Sequence, residues 1–233
     1  MLGFCLPFPS LILMLETLER ETGANPAYSI IVLHGLGADG NDFVPIVPQL
    51  LRSDWPPLRF VFPHAPFRPV TVNNGMLMRA WYDISGFDLD QKQDEAGIRA
   101  SCAQVEQLLE REAQRGVPAH NLILAGFSQG GAVALATGLR HAQKLAGVVA
   151  LSTYLPIAQV VAAERHGANT QLPIFMAHGT FDPVVPLMLG ELSRDRLRAF
   201  GHPLEWHTYP MAHQVCPHEI HDLAEWLSAR FAE

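Results

Sequence analysis

An apolar run of strand length, Leu122-Ile123-Leu124-Ala125, leads directly into Gly126-Phe127-Ser128-Gln129-Gly130-Gly131, and a small-residue run, Ala132-Val133-Ala134-Leu135-Ala136, follows it. Strand, Gly-x-Ser-x-Gly and helix in immediate succession constrain the fold strongly. The chain must reverse so sharply that the central serine takes a strained backbone conformation, and only small neighbours clear the adjoining strand and helix. Gly126 and Gly130 supply that clearance, and Gly131 lets the helix pack closely. Ser128 Oγ then stands at the tip of the turn, near the positive end of a helix dipole, where a developing oxyanion is stabilised. A glycine-rich turn with a solvated serine is the alternative, and the flanking strand and helix argue against it.

The rest of the chain supplies what such a turn needs around it. Ser29-Ile30-Ile31-Val32-Leu33, Leu58-Arg59-Phe60-Val61-Phe62, Gly147-Val148-Val149-Ala150-Leu151-Ser152, Pro173-Ile174-Phe175-Met176-Ala177 and Leu204-Glu205-Trp206-His207-Thr208-Tyr209 read as strands. Helical patterns lie between them: Asn41-Asp42 capping a helix to about Leu51, residues 94–115, 187–200 and 218–231. Alternation of this kind predicts one doubly wound, mainly parallel sheet flanked by helices, with residues 14–233 as a single domain. From Pro63 to about Asp90 the sequence is irregular and rich in Pro, Met and aromatic residues. There Met76, Leu77, Met78 and Trp81 are candidates for the wall of an acyl pocket, or for core filling under a loop. Met1 to Leu13 is apolar, broken by Pro7 and Pro9, and lacks a basic start; the expectation is an extension outside the core, with Met14 a second possible start.

Charge and cysteine content narrow the function. The formal net charge is -7 and the lysines are Lys92 and Lys144, a balance that excludes nucleic acid and docking on anionic lipid as expectations. No apolar run is long enough to span a bilayer. Cys5, Cys102 and Cys216 are too scattered for a disulfide framework and share no metal-ligand spacing, which points to a reducing, cytoplasmic setting and to no metal.

A serine hydroxyl is a weak nucleophile at neutral pH and needs a histidine base, itself oriented by a carboxylate. In folds with this elbow the acid and then the histidine follow on loops after later strands. Asp182 fits the first place, on the turn leaving the 173–177 strand, whereas Asp195 lies inside a helix between Arg194 and Arg196 and reads as a solvated face. Asp182 as a plain turn aspartate, with Pro183 behind it, is the competing reading. Among eleven histidines, His213 lies in the loop between the last strand and the last helix, the usual place of the base. His207 and His178 are misplaced for that role, and His218 and His221 read as surface residues. His34-Gly35-Leu36-Gly37 follows the first parallel strand, so Leu36 and Gln129 are expected to offer two backbone N–H groups to an oxyanion, with His34 ordering that loop.

His34-Gly35-Leu36-Gly37, Trp81-Tyr82-Asp83, Gly126-Phe127-Ser128-Gln129-Gly130-Gly131, His178-Gly179-Thr180-Phe181-Asp182 and Tyr209-Pro210-Met211-Ala212-His213 occur in that order. Together they resemble the carboxylesterase/lysophospholipase family that includes the acyl-protein thioesterases, within the α/β-hydrolase superfamily, and most of all its small bacterial carboxylesterases. The resemblance spans nearly the whole chain from about Met14. It implies the triad Ser128, Asp182 and His213, an oxyanion hole at Leu36 and Gln129, no large lid domain, no cofactor, and frequent homodimers. The implied substrate is a small-molecule or lipid ester, cleaved through an acyl-enzyme. Lysophospholipase or protein deacylase activity uses the same triad, and a silent binding protein on the same fold is the reading from another class.

Overall fold

The computed structural model describes residues 14–86 and 93–232. The expected extension at 1–13 lies outside the described residues. In chain order the strands are β1 (Thr17–Glu21), β2 (Tyr28–Leu33), β3 (Leu58–Pro63), β4 (Phe67–Val70), β5 (Met76–Arg79), β6 (Leu122–Phe127), β7 (Gly147–Leu151), β8 (Ile174–Gly179) and β9 (Leu204–Tyr209). The helices are α1 (Val47–Leu50), α2 (Glu95–Gln114), α3 (Gln129–Gly138), α4 (Ala158–Glu164), α5 (Leu187–Ala199) and α6 (Pro217–Phe231).

Seven strands form one sheet in the order β1-β3-β2-β6-β7-β8-β9. All pairs are parallel except β1–β3, which is antiparallel. Both faces are covered, so the central strands read as continuous apolar runs while their side chains alternate between two cores. Ile31, Leu33, Leu122, Leu124, Val148 and Ile174 pack toward one face. Ile30, Phe60, Ile123, Val149 and Phe175 pack toward the other, against α6 residues such as Leu223 and Trp226. The second core leaves a small apolar cavity lined by Phe43, Phe127, Leu151 and Leu223 among others.

Register brings the functional loops together. Leu33 pairs with Gly126, so the His34-Gly35 loop leaves the sheet beside the elbow. Gly179 pairs with Tyr209, so the turn after β8 and the loop after β9 emerge side by side. These carboxyl ends, next to a reversal of strand order, are where open α/β sheets place their ligands.

Several expectations change. The helix expected from Asn41 to Leu51 is a 3₁₀ turn at Val44–Ile46 followed by the single turn of α1, because Pro45 and Pro48 have no N–H to continue the ladder. The region expected to be irregular contains a hairpin, β4 paired antiparallel with β5, whose turn places Asn74 at φ 56° and Gly75 at φ 74°; its last expected residues, 87–90, lie outside the described set. β1 and α4 were not expected at all. At the β1 edge, Glu112 of α2 is fully buried and accepts from Arg59 Nη1 at 2.8 Å and Ser29 Oγ at 3.0 Å, tying α2 to the sheet.

Candidate active site

Ser128 sits between β6 and α3 at φ 55°, ψ −121°, the strained conformation that the elbow requires. The crowding is measurable. A Cβ on Gly126 would lie 2.4 Å from Gly130, and one on Gly130 would lie 2.2 Å from the Leu33 carbonyl oxygen. The turn is braced on both sides: Ser128 N–H donates to Leu151 O at 2.9 Å, and Thr153 Oγ1 donates to Ser128 O at 2.6 Å.

The Asp182 side chain is fully buried and accepts from His213 Nδ1 at 2.7 Å. Its other oxygen, Oδ1, accepts the Val184 and Val185 N–H groups at 2.8 and 2.9 Å, which fixes the carboxylate plane. An ionised carboxylate only accepts, so His213 carries its proton on Nδ1 and presents Nε2 with a free lone pair. The His213 ring packs on Phe127, the residue before Ser128, with ring centroids 4.6 Å apart. Among the described residues no hydrogen bond yet joins Ser128 to His213; such contacts commonly tighten only with substrate bound. Asp195 is exposed and pairs with its neighbour Arg194, and Asp222 accepts from Tyr209 Oη. Neither approaches His213 as Asp182 does.

Opposite the histidine lies the His34–Gly37 loop. A Cβ on Gly35 would stand 3.5 Å from Ser128 Cβ, so the loop reaches the serine itself. Neither the Leu36 nor the Gln129 N–H donates to a backbone carbonyl among the described residues. His34 orders this loop, as expected. It accepts the Ala65 N–H on Nε2 at 3.0 Å, so its proton is on Nδ1, which donates to Gly35 O at 2.7 Å. Burial pushes its pKa down to about 4, so the ring stays neutral.

The four residues expected to wall a pocket separate. Met76 and Leu77 are exposed on the hairpin, and Met78 is half-buried beside Gly37. The hairpin touches the His34–Gly37 loop directly, because Gly37 N–H donates to Arg79 O at 2.9 Å. Trp81 is a correction: it has no exposed surface to offer a substrate. Its indole Nε1–H donates to His34 O at 2.9 Å, and the aromatic rings of the two residues lie 5.3 Å apart, so it supports the loop from below. Sequence reasoning missed this role, and it missed the Gln129 side chain and Thr153, whose contacts cross between distant segments.

A nucleophile elbow at the centre of a mainly parallel seven-stranded sheet, with a histidine–carboxylate pair on the loops after the last two strands, defines an α/β-hydrolase. The phospholipase/carboxylesterase family model matches residues 20–230, and the chain belongs to that family; it is a hydrolase. The chain is 40% identical over 227 residues to acyl-protein thioesterase 1 of Neurospora crassa, covering 94% of this chain and 91% of that one. Among solved structures it is similar to Arabidopsis thaliana SOBER1, with TM-score 0.83, 30% identity, and 87% and 98% of the two chains covered. Zea mays acyl-protein thioesterase 2 gives TM-score 0.81 and 29% identity, over 93% and 99%.

Proposed function

We propose that the protein is a serine hydrolase that cleaves carboxylic esters or thioesters of short to medium acyl chains through an acyl-enzyme on Ser128. The observation that carries this reading is the 2.7 Å Asp182–His213 contact beside a serine held at φ 55°. In the first half-reaction His213 Nε2 takes the Ser128 proton as Oγ adds to the substrate carbonyl carbon. The resulting oxyanion accepts hydrogen bonds from the Leu36 and Gln129 N–H groups. The tetrahedral adduct then expels an alcohol or thiol, which receives the proton from His213. In the second half, water adds to the acyl carbonyl with His213 again as base, and the free acid leaves.

In this reading Met76, Leu77 and Met78 offer the acyl chain an apolar surface on a hairpin tied to the oxyanion loop, and Trp81 acts from beneath. With no lid domain among the described residues to enclose a long chain, the preference falls on soluble short to medium esters. A cytoplasmic setting and a homodimer belong to the same proposal. Among the described residues no helix is long and apolar enough to cross a membrane.

Thioesters enter the reading because of the relatives named acyl-protein thioesterase, and lysophospholipids because of the family's name. A series of p-nitrophenyl esters from acetate to palmitate, run beside an S-acylated peptide and a lysophospholipid, decides among them. The expected result is a kcat/KM maximum at short to medium chains. A value that keeps rising through the palmitate ester contradicts the reading.

A further inference from the structure

At Ser152 the chain leaves β7 with φ 46°, while its N–H donates to Ala177 O at 2.8 Å. A non-glycine residue at positive φ is strained and persists only where its surroundings over-determine it. Here the next residue returns to the elbow. Thr153 is completely buried and donates its hydroxyl to Ser128 O at 2.6 Å. Its methyl is seated against the start of α3, where a Cβ on Gly131 would lie 2.7 Å from Cγ2. That seat restricts χ1 of a β-branched side chain, which aims Oγ1. The loop is also held from outside: Leu155 N–H donates to Ser193 Oγ of α5 at 2.7 Å, and Tyr154 Oη lies 3.0 Å from Tyr82 Oη.

The carbonyl that Thr153 holds shares a peptide unit with the Gln129 N–H. That unit is planar and trans, so C=O and N–H point in opposite directions. Fixing the oxygen therefore fixes the line along which the N–H points. Ser128 O also accepts the Ala132 N–H of α3, at 3.2 Å, so the Thr153 hydroxyl is the closer of two donors. A hydrogen bond on a carbonyl polarises its amide and strengthens what the N–H can donate. We propose that Thr153 is a positioning residue for the oxyanion hole, its hydroxyl holding the peptide between Ser128 and Gln129 so that the Gln129 N–H meets the developing charge. The proposal rests on the acyl-enzyme reading, with Gln129 as one of the two donors. The Gln129 side chain is itself bonded to Trp81 and Tyr82, so both residues of this peptide are held by distant segments.

The test compares Thr153→Val, which keeps the methyl seat and removes the hydroxyl, with Thr153→Ser, which keeps the hydroxyl. Turnover of p-nitrophenyl acetate is measured beside inhibition by an alkyl trifluoromethyl ketone. Ser128 Oγ adds to the carbonyl carbon of that probe, its proton passes to His213 Nε2, and the ketone oxygen becomes an alkoxide in the oxyanion hole. Thr153→Val is expected to lose about tenfold in kcat with KM within about twofold, less than deletion of a donor costs, because the N–H remains. Its Ki for the ketone is expected to rise by about the same factor, as for a transition-state analogue. Thr153→Ser is expected to keep kcat and Ki within about threefold of wild type. A kcat loss without a change in Ki, equal losses in both variants, or a wild-type rate for Thr153→Val overturns the proposal. A Ki that Ser128→Ala leaves unchanged would instead overturn the acyl-enzyme reading beneath it. Ser128 O retains the Ala132 N–H in Thr153→Val, so no carbonyl is orphaned. Should that variant still not fold, proton NMR of the wild type decides. A slowly exchanging Thr153 hydroxyl proton that shifts together with the Gln129 amide proton as the hemiketal forms supports the proposal. A hydroxyl proton lost to exchange, or indifferent to the hemiketal, overturns it.

Discussion

The Gln129 side chain clamps Trp81: its Oε1 accepts the Trp81 backbone N–H at 2.8 Å while its Nε2 donates to Tyr82 O at 2.7 Å. Trp81 in turn holds His34 O through its indole, and His34 holds Gly35. A single buried chain of hydrogen bonds therefore links the two segments whose N–H groups are assigned to the oxyanion. Pre-oriented donors of this kind do not have to reorganise as charge develops.

Trp81→Phe tests that chain with a small change, since it keeps most of the ring and deletes one N–H. The loss leaves His34 O, a buried acceptor, short of its donor, a cost of about 1–3 kcal/mol. The expected outcome is a kcat lower by about tenfold with little change in KM, and a lower Tm. Initial rates on p-nitrophenyl acetate and a thermal melt check both. An unchanged kcat alongside a lower Tm would reduce Trp81 to a core residue.

The acid is tested by paired substitutions that remove the same charge. Asp182→Asn is expected to lower kcat by about 10³–10⁴, because an amide can hold His213 in the wrong tautomer. Asp195→Asn, on the exposed face of α5, is expected to leave kcat/KM within about twofold, as surface changes usually do. Steady-state kinetics on both variants checks this. A larger loss from Asp195→Asn would mean that the acid has been misassigned.

Glu219, buried in the first turn of α6, gives a prediction about pH and stability. Burial, with Asp222 adding and the Cys216 amide opposing, raises its pKa from 4.5 to about 8. Between those values the unfolded chain has released a proton that the folded one keeps. Stability contributed by this group therefore falls as pH rises from about 4.5 to about 8. Glu219→Gln removes the term, so the variant should gain about 2–4 kcal/mol over wild type at pH 8 and almost nothing at pH 4.5. Urea titrations at the two pH values measure it. A gain that does not depend on pH would contradict the buried, protonated carboxyl.

The elbow was legible because its sequence admits few other structures: Gly126 and Gly130 have backbone where a Cβ would sit, and no other residue fits there. The buried strands were legible for a related reason, since β-branched runs such as Ile30-Ile31-Val32 need cover on both faces. The β4–β5 hairpin was not. Pro66 and Pro69 argue against a strand, and only Asn74-Gly75, now seen at positive φ, marked the turn. For Trp81 the sequence left pocket wall and core filling both open, because a large aromatic near methionines suits either, and its burial depends on Gln129 and His34, distant in sequence.

The central claim is that Ser128 becomes acylated, and mapping a covalent adduct tests it most directly. The protein is treated with a fluorophosphonate, digested, and the modified peptide is sequenced by mass spectrometry. The account predicts one equivalent of adduct, on Ser128, and no labelling of Ser128→Ala although that variant keeps the wild-type fold by circular dichroism. Labelling of Ser128→Ala at the wild-type level, or an adduct on another serine, would contradict it.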